Sequence, residues 1–261
     1  MKQEVEIEIN KILNDKTSGS SELLSNINSL LLHNCSDLSE LKLIVRKLKK
    51  NLPTFTNIQN YLYKLEKTVR KEDPVKKFLQ DFNQSEKNVY DSIFRNALTY
   101  LAKKKNILTI SNSGTVFEIL IRLNQTVRLN VFICESRPKY EGRILAKKLA
   151  DKKIKTQLIT EAQTAGYLGK CDCVLIGADS ILKNGDVINK VGSLQLAVLS
   201  KYYGKPFYVV ANNLKLGKNN KFFHTEESVK EIWEVRTKRI RIENFYFERI
   251  PNSLISKIIT N

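Results

Sequence analysis

The sequence predicts an α/β protein with a helical N-terminal domain over residues 1–104 and a Rossmann-like, parallel-sheet domain over residues 105–261. Two observations lead to this prediction. Through the first hundred residues, apolar side chains recur at the spacing of helix faces. After Lys105, short β-rich runs alternate with helical stretches, which is the pattern of a parallel sheet whose strands are joined by crossover helices.

Four helices are expected in the N-terminal domain. The first begins at Ser20, in SSELLSNINSLLLH, and the second covers LKLIVRKLKKNL and ends before Pro53. The third and fourth are expected near residues 57–71 and 74–104. Their lysine-rich sides are the solvent-exposed faces of amphipathic helices.

Five strands are expected in the C-terminal domain, in the runs ILTIS, LNVFICE, KTQLIT, CVLIGA and PFYVVAN. Most of these runs are apolar without alternation, which is typical of strands that are covered on both faces. Between them, FEILIRL, GRILAKKLA, AGYLG and VGSLQLAVLSKYYG have helical patterns. Right-handed crossovers then bring the carboxyl ends of the strands to one edge, where open α/β sheets bind their ligands.

Polar residues follow the strands at that edge. Each has a simpler explanation as a helix cap, a turn or one half of an ion pair, and Asn184-Gly185-Asp186 is expected to be a turn. Their common location favours a site for a small phosphorylated ligand, because hydroxyls, amides and cations at helix N-termini bind phosphate. The residues concerned are Ser111, Asn112, Ser113, Arg137, Asp179, Lys215, and Asn189 and Lys190, which are placed at the start of a long helix.

The formal net charge of +17 has two interpretations. It can attract RNA, an acidic protein or anionic ligands, or it can belong to a solvated surface. The second is favoured because no RNA-binding motif with interleaved aromatic residues is present, so RNA is not an expected partner. An RNA-binding module is one function considered for this chain, and the only observation in its favour is the charge.

Membrane, metal and cofactor binding are not expected. No apolar run is long enough to span a bilayer, and the N-terminus lacks a secretory signal pattern, so a cytoplasmic protein is predicted. Cys171-Asp172-Cys173 lacks the spacing of a zinc or redox motif. No GxGxxG sequence supports a nicotinamide cofactor.

Several segments resemble a known family in order and spacing. They are ILTISNSGTV, CESRPKYEGRILAKKLA and GADSILKNGDVINKVGSLQLAVLSKYYGKPFYVVAN, with DKTSGSSELL near the start and FYFERIPNSLISKIITN at the end. The family is the initiation factor 2B regulatory-subunit superfamily, which contains the alpha, beta and delta subunits of that factor. It also contains methylthioribose-1-phosphate isomerase and ribose-1,5-bisphosphate isomerase. The resemblance implies a helical domain followed by a Rossmann-like domain, and a homodimer formed through the second.

The resemblance also implies roles for individual residues. Asp179 stands at the position of the acid/base Asp of the isomerases, and Asn189, Lys190 and Lys215 stand at substrate-holding positions. Ser111 stands where the isomerases have a catalytic Cys, and a hydroxyl needs a separate base to become reactive. Ser18-Gly19 replaces a phosphate-binding Arg-Gly pair, and Leu52 before Pro53-Thr54 replaces a second phosphate-binding Arg.

Besides the RNA-binding module, the sequence and the resemblance leave two functions open. The preferred hypothesis is a non-catalytic or weakly catalytic protein that resembles the initiation factor 2B subunits. It binds a sugar phosphate or nucleotide and acts through a translation-factor partner. The alternative is an aldose–ketose isomerase for a phosphorylated pentose such as ribose 1,5-bisphosphate, with Asp179 as acid/base and Ser111 or a water in place of the thiol.

Overall fold

A computed structural model describes residues 2–15, 18–222, 224–235, 237 and 239–261. Its N-terminal part is helical, and the four predicted helices are confirmed. The helices are α1 (Gln3–Asn14), α2 (Ser20–His33), α3 (Leu38–Asn51), α4 (Thr56–Arg70) and α5 (Val75–Leu101). Among the residues that the structure describes, no helix combines the length and the hydropathy needed to cross a bilayer.

Helix α1 was not singled out from the sequence. Val5, Ile7 and Ile9 alternate with acidic residues, which is a strand-like period. In the structure, Val5, Ile9 and Ile12 are buried at helical spacing, whereas Ile7 is 50% exposed. The buried residues of this segment therefore follow the helical spacing, and the alternation of apolar and acidic residues does not correspond to a strand.

Helix α5 contacts two hydrophobic cores. Its first turns place Val75 and Leu79 in the core of the helical part, and its last turns place Ile93, Ala97 and Leu101 against one face of the sheet. The division of the chain at residues 104 and 105 falls between α5 and the first strand, and as a boundary between domains it stays a prediction.

The C-terminal part contains a six-stranded sheet of order β3-β2-β1-β4-β7-β9, in which every pairing is parallel. The predicted fold class and the five predicted strands are confirmed. These strands are β1 (Asn106–Ile110), β2 (Asn130–Cys134), β3 (Lys155–Ile159), β4 (Cys173–Ile176) and β7 (Phe207–Val210). The helices that follow strands are α6 (Gly114–Leu123), α7 (Glu141–Asp151), α8 (Thr164–Leu168) and α9 (Ser193–Tyr202).

The sequence did not reveal four of the described strands. One is β9 (Lys257–Ile259), which pairs with β7. The others form a small antiparallel sheet of β5 (Ser180–Ile181), β6 (Val187–Lys190) and β8 (Phe247–Ile250). The turn at residues 184–186 is confirmed as the connection between β5 and β6, with Gly185 at a φ of +85°.

The placement of Asn189 and Lys190 at the start of a helix is wrong. Both belong to β6, where they pair with Glu248 and Phe247 of β8. The helix begins only at Ser193, after Gly192 turns the chain at a φ of +98°. Since L residues with side chains rarely adopt this φ, Gly192 separates the strand from the helix.

Candidate functional site

A cavity of about 840 Å³ lies where the helical part meets the carboxyl ends of the sheet strands. The N-terminal end of α2, the loop before α4, the loop after β1, the β5–β6 hairpin and the segment after β7 all line it. Nine of the residues proposed from the sequence line this cavity: Ser18, Gly19, Ser111, Asn112, Ser113, Asp179, Asn189, Lys190 and Lys215.

The loop between β1 and α6 has little freedom. Ser111 has a φ of +69°, and its backbone N–H donates to Ser136 Oγ at 2.7 Å. Ser113 caps α6 by accepting from the N–H of Val116. A Cβ at Gly177 would lie 2.3 Å from Ser113 Oγ, so only glycine lets β4 end this close to the loop. These contacts hold the N-terminal end of α6 at the cavity wall.

Asp179 and Lys215 meet through a residue that the sequence did not indicate. Lys215 Nζ donates to Ser20 Oγ, and Ser20 Oγ donates to Asp179 Oδ1 at 3.0 Å. The direct distance from Lys215 Nζ to Asp179 Oδ1 is 3.8 Å. Burial lowers the pKa of Lys215, although the negative charge of Asp179 acts in the opposite direction.

Lys190 has different partners on the same cavity. Its side chain is 2% exposed, its Nζ lies 2.8 Å from Glu141 Oε1, and it sits 4.8 Å from the ring centroid of Tyr246. Glu141 Oε2 is buried and has no hydrogen-bond partner among the described residues. Burial raises the pKa of the Tyr246 hydroxyl, which donates to Glu231.

Glu141 was not among the residues predicted from the sequence, and the neighbouring glycine is the signal that could have indicated it. A Cβ at Gly142 would lie 1.8 Å from the carbonyl oxygen of Cys134. This close approach of α7 to the end of β2 requires glycine, and it brings the first residue of α7 to the cavity. Asn189 is next to this group, and its side-chain amide donates to Ser193 Oγ at 2.9 Å.

The structure does not bring Arg137 to the cavity. Its exposed guanidinium donates to the hydroxyl of Tyr140 and to the carbonyl of Ile232. The simpler explanation of Arg137 as one half of an ion pair, with the nearby Glu135, is wrong as well, because Glu135 accepts from Arg143 at 2.8 Å. The side chain points away because the chain turns after β2 through Ser136, whose φ is +68°.

Ser18, Gly19 and Leu52, which stand at phosphate-binding positions in the resemblance, line the same cavity. None of them carries a guanidinium. The positive charge of the wall comes instead from Lys148, Lys190, Lys215, Lys218 and Lys221. Five carboxylates, those of Asp15, Glu22, Glu141, Asp179 and Glu227, line the same wall. No Arg is among the described residues that line it, so the wall lacks the bidentate Arg forks that hold phosphates firmly.

The family model of the initiation factor 2 subunit family matches residues 9–261. The chain belongs to this family. The methylthioribose-1-phosphate isomerase of Citrobacter koseri is 33% identical over 187 residues, which cover 66% of this chain and 55% of that protein. The enzyme of the same name from Bacillus cereus is 29% identical over 236 residues, 80% of this chain and 67% of that one. The chain thus spans little more than half the length of the first of these relatives.

Solved structures agree on the fold. The translation initiation factor eIF-2B of Pyrococcus horikoshii OT3 superposes with a TM-score of 0.85 at 23% identity, covering 100% of this chain and 96% of that one. The 5-methylthioribose 1-phosphate isomerase of the same organism gives a TM-score of 0.82 at 22% identity, covering 98% and 82%. At such identities the similarity shows the fold alone, and both kinds of protein share it.

The preferred interpretation of the sequence, a non-catalytic protein like a factor subunit, is wrong. The curated relatives at 29% and 33% identity are named as an enzyme. Ser111 in place of a thiol and the missing Arg residues do not decide against an enzyme, and the cavity wall brings together Asp179, Asn189, Lys190 and Lys215.

Proposed function

We propose that the protein is an intramolecular aldose–ketose isomerase that acts on a pentose phosphorylated at carbon 1. The observation that carries the proposal is the Asp179 carboxylate on the wall of the cavity, hydrogen-bonded to Ser20 and backed by the buried Lys215. The named activity of the curated relatives belongs to the same reaction class.

The chemistry requires an acid/base group beside the sugar. A phosphate on the anomeric oxygen keeps an aldose in its ring form, so the ring must open before carbon 2 can become a ketone. The ring oxygen gains a proton as its bond to carbon 1 breaks, the hydroxyl on carbon 2 loses a proton, and a hydrogen passes with its bonding electron pair from carbon 2 to carbon 1. In the proposed mechanism, Asp179 exchanges protons with these two oxygens.

The phosphate is proposed to bind where positive groups meet. The N-terminal end of α6, formed by residues 112–115, lines the cavity, and backbone N–H groups at such ends bind phosphate. Lys218 and Lys221 line the same cavity and add to the attraction. In this proposal Asn189 and Lys190 orient the sugar, and Ser111 or a water beside it occupies the place of a thiol.

The substrate is proposed to carry a single phosphate. The two positions that resemble phosphate-binding Arg positions are Ser18 and Leu52, and neither can form a bidentate hydrogen-bonded pair with a second phosphate. We therefore expect a higher kcat/KM for methylthioribose 1-phosphate than for ribose 1,5-bisphosphate. The reverse order would contradict this choice of substrate class.

Turnover of these two sugars tests the proposed reaction. Replacing Asp179 by Asn removes the acid/base group and keeps the size of the side chain, so we expect kcat to fall by about 100-fold or more. The control is Asp151→Asn, an exposed carboxylate that does not line the cavity. Its activity should equal that of the wild type. Absence of turnover of both sugars by the wild type would contradict the proposal.

Assembly and location complete the proposal. We expect a homodimer, and light scattering that shows only monomer at micromolar concentration would contradict it. A translation-factor partner for this chain also stays a prediction. One structural neighbour, which shares the fold, belongs to the tetrameric eIF2B-beta2-delta2 complex of C. thermophilum. A cytoplasmic location is also proposed, and cell fractionation tests it.

A further inference from the structure

Three polar groups stand in a line at the wall of the cavity. They are the ammonium of Lys215, the hydroxyl of Ser20 and the carboxylate of Asp179. The ammonium and the carboxylate are 3.8 Å apart, which is too long for a good hydrogen bond. The Ser20 hydroxyl therefore connects them, accepting from Lys215 and donating to Asp179.

Ser20 is held firmly in this place. It is the first residue of α2 and is 6% exposed. Its carbonyl accepts from the side-chain amide of Asn57 at 2.7 Å. A Cβ at Gly19, the residue before it, would lie 3.1 Å from the carbonyl oxygen of Asn112. The helical part thus contributes a hydroxyl, fixed by backbone contacts, to a pair of charged groups on the sheet part.

The proton of Lys215 is also easier to release than that of an exposed lysine. The side chain is 6% exposed, and burial lowers its pKa. Lys190, the other buried lysine of the cavity, bonds directly to the carboxylate of Glu141. Of the two, only Lys215 reaches its carboxylate through a hydroxyl that can both accept and donate a proton.

We propose that Ser20 is a proton relay through which Lys215 supplies Asp179 with the proton that opens the sugar ring. This inference rests on the proposed isomerase function. One N–H bond of Lys215 breaks as an O–H bond forms on Ser20. The original O–H bond of Ser20 breaks as one forms on Asp179. The ion pair becomes a neutral amine and a carboxylic acid, and no proton or electron is gained or lost.

Asp179 then protonates the ring oxygen as the bond from that oxygen to carbon 1 breaks. When the hydroxyl on carbon 2 becomes a ketone, its proton returns to Asp179 and passes back through Ser20 to Lys215. The relay explains how a carboxylate beside an ammonium can act as an acid at neutral pH. Ser20 moves protons to Asp179 and acts on the sugar only through it.

The experiment compares Ser20→Ala, Ser20→Thr, Lys215→Met and the double variant Ser20→Ala/Lys215→Met with the wild type. We expect Ser20→Ala to lower kcat by about 10- to 100-fold with KM changed by less than about 3-fold, because the hydroxyl serves a chemical step. Ser20→Thr keeps the hydroxyl and should recover most of the loss. Ser29→Ala, on an exposed position of the same helix, is the matched control and should keep wild-type activity.

The double variant separates a relay from a packing effect. If both residues serve one path, Ser20→Ala should cost almost nothing further in a Lys215→Met background. Wild-type kcat in Ser20→Ala, equal losses in the Ala and Thr variants, or losses that multiply in the double variant would each overturn the relay while leaving the isomerase proposal intact. A wild-type protein without turnover would overturn both.

Discussion

Lys190 is almost fully buried, and among the described residues one carboxylate, that of Glu141, forms an ion pair with it. Its ammonium contacts Glu141 and the face of the Tyr246 ring. The attraction between the buried charges compensates for their lost hydration only while both are present. Removing Lys190 leaves the Glu141 carboxylate, which is 15% exposed and whose Oε2 already has no hydrogen-bond partner among the described residues, without its counter-ion.

We therefore predict that Lys190→Met lowers the free energy of unfolding by about 3–5 kcal/mol, measured by urea denaturation. The double variant Lys190→Met/Glu141→Gln should recover part of the loss, because no unpaired charge remains. Lys230→Ala is the control, since its ion pair with Glu234 is about 70% exposed on both sides and should contribute less than about 1 kcal/mol. A loss in Lys190→Met as small as that of the control would contradict the prediction.

Individual residues also show how far the sequence could predict the site. Asp179 and Lys215 were placed at the correct edge because the carboxyl ends of parallel strands must meet there. Arg137 follows β2 in the same way, yet the left-handed turn at Ser136 directs it elsewhere. Ser20 was missed, although the resemblance placed Ser18-Gly19 just before it at the site, because nothing in the sequence shows that its hydroxyl contacts Asp179, 159 positions away.

The β5–β6 hairpin is the element that brings Asp179 and Lys190 to the cavity. Asp186, at its turn, accepts from the N–H of Asn252 at 2.9 Å, from Asn184 at 2.9 Å and from Arg249 Nε at 2.6 Å. Burial raises the pKa of Asp186, but these donors outweigh it and hold the pKa below the usual value. The carboxylate thus joins the hairpin to the segment that follows β8.

The lowered pKa of Asp186 makes its contribution to the free energy of unfolding depend on pH. The folded state favours the charged form, so the stabilisation is complete above the pKa of the unfolded chain, about 4, and is lost as the pH falls through the lower folded value. We predict that Asp186→Asn lowers the free energy of unfolding by about 1–3 kcal/mol at pH 7. The difference from the wild type should shrink at pH 3.

Urea denaturation at both pH values measures this difference. Asp151→Asn, an exposed change, should have little effect at either pH. An Asp186→Asn difference that is equal at pH 7 and pH 3 would contradict a role for the ionised carboxylate.

The four strands that the sequence did not predict share one physical cause. β5 and β9 have only two and three residues, and β6 and β8, with four each, mix polar or charged residues with apolar ones, so no clear strand pattern emerges. Each of them is stabilised by a partner far away in the chain, as β6 is by β8. Helices α2–α5 and strands β1–β4 and β7 carry their own patterns and were predicted, whereas these short strands depend on the assembled fold.

At the scale of the whole molecule, the cavity depends on two parts of the chain that have separate cores. Hydrogen bonds from Asn57 to Ser20, from Asn60 to the carbonyls of Leu214 and Leu216, and from Thr56 to Ser180 hold α4 against the cavity wall and the sheet part. Leu214 itself belongs to the helical core. A ligand that contacts both parts should therefore stabilise the whole chain rather than one half.

We predict that methylthioribose 1-phosphate stabilises the protein as a single cooperative unit. At 100 times its dissociation constant, a ligand of the folded state adds about 2.7 kcal/mol. For a chain of this size, that gain corresponds to an increase in Tm of roughly 5–10 °C. Free methylthioribose at the same concentration is the control for the sugar without its phosphate, and it should shift Tm by less than about 1 °C because the lysines and the N-terminal end of α6 have no anion to bind. Calorimetry should show one transition that moves as a whole. A shift confined to one of two transitions would contradict this prediction. Equal shifts with methylthioribose and methylthioribose 1-phosphate would show that the phosphate is not what binds in the cavity.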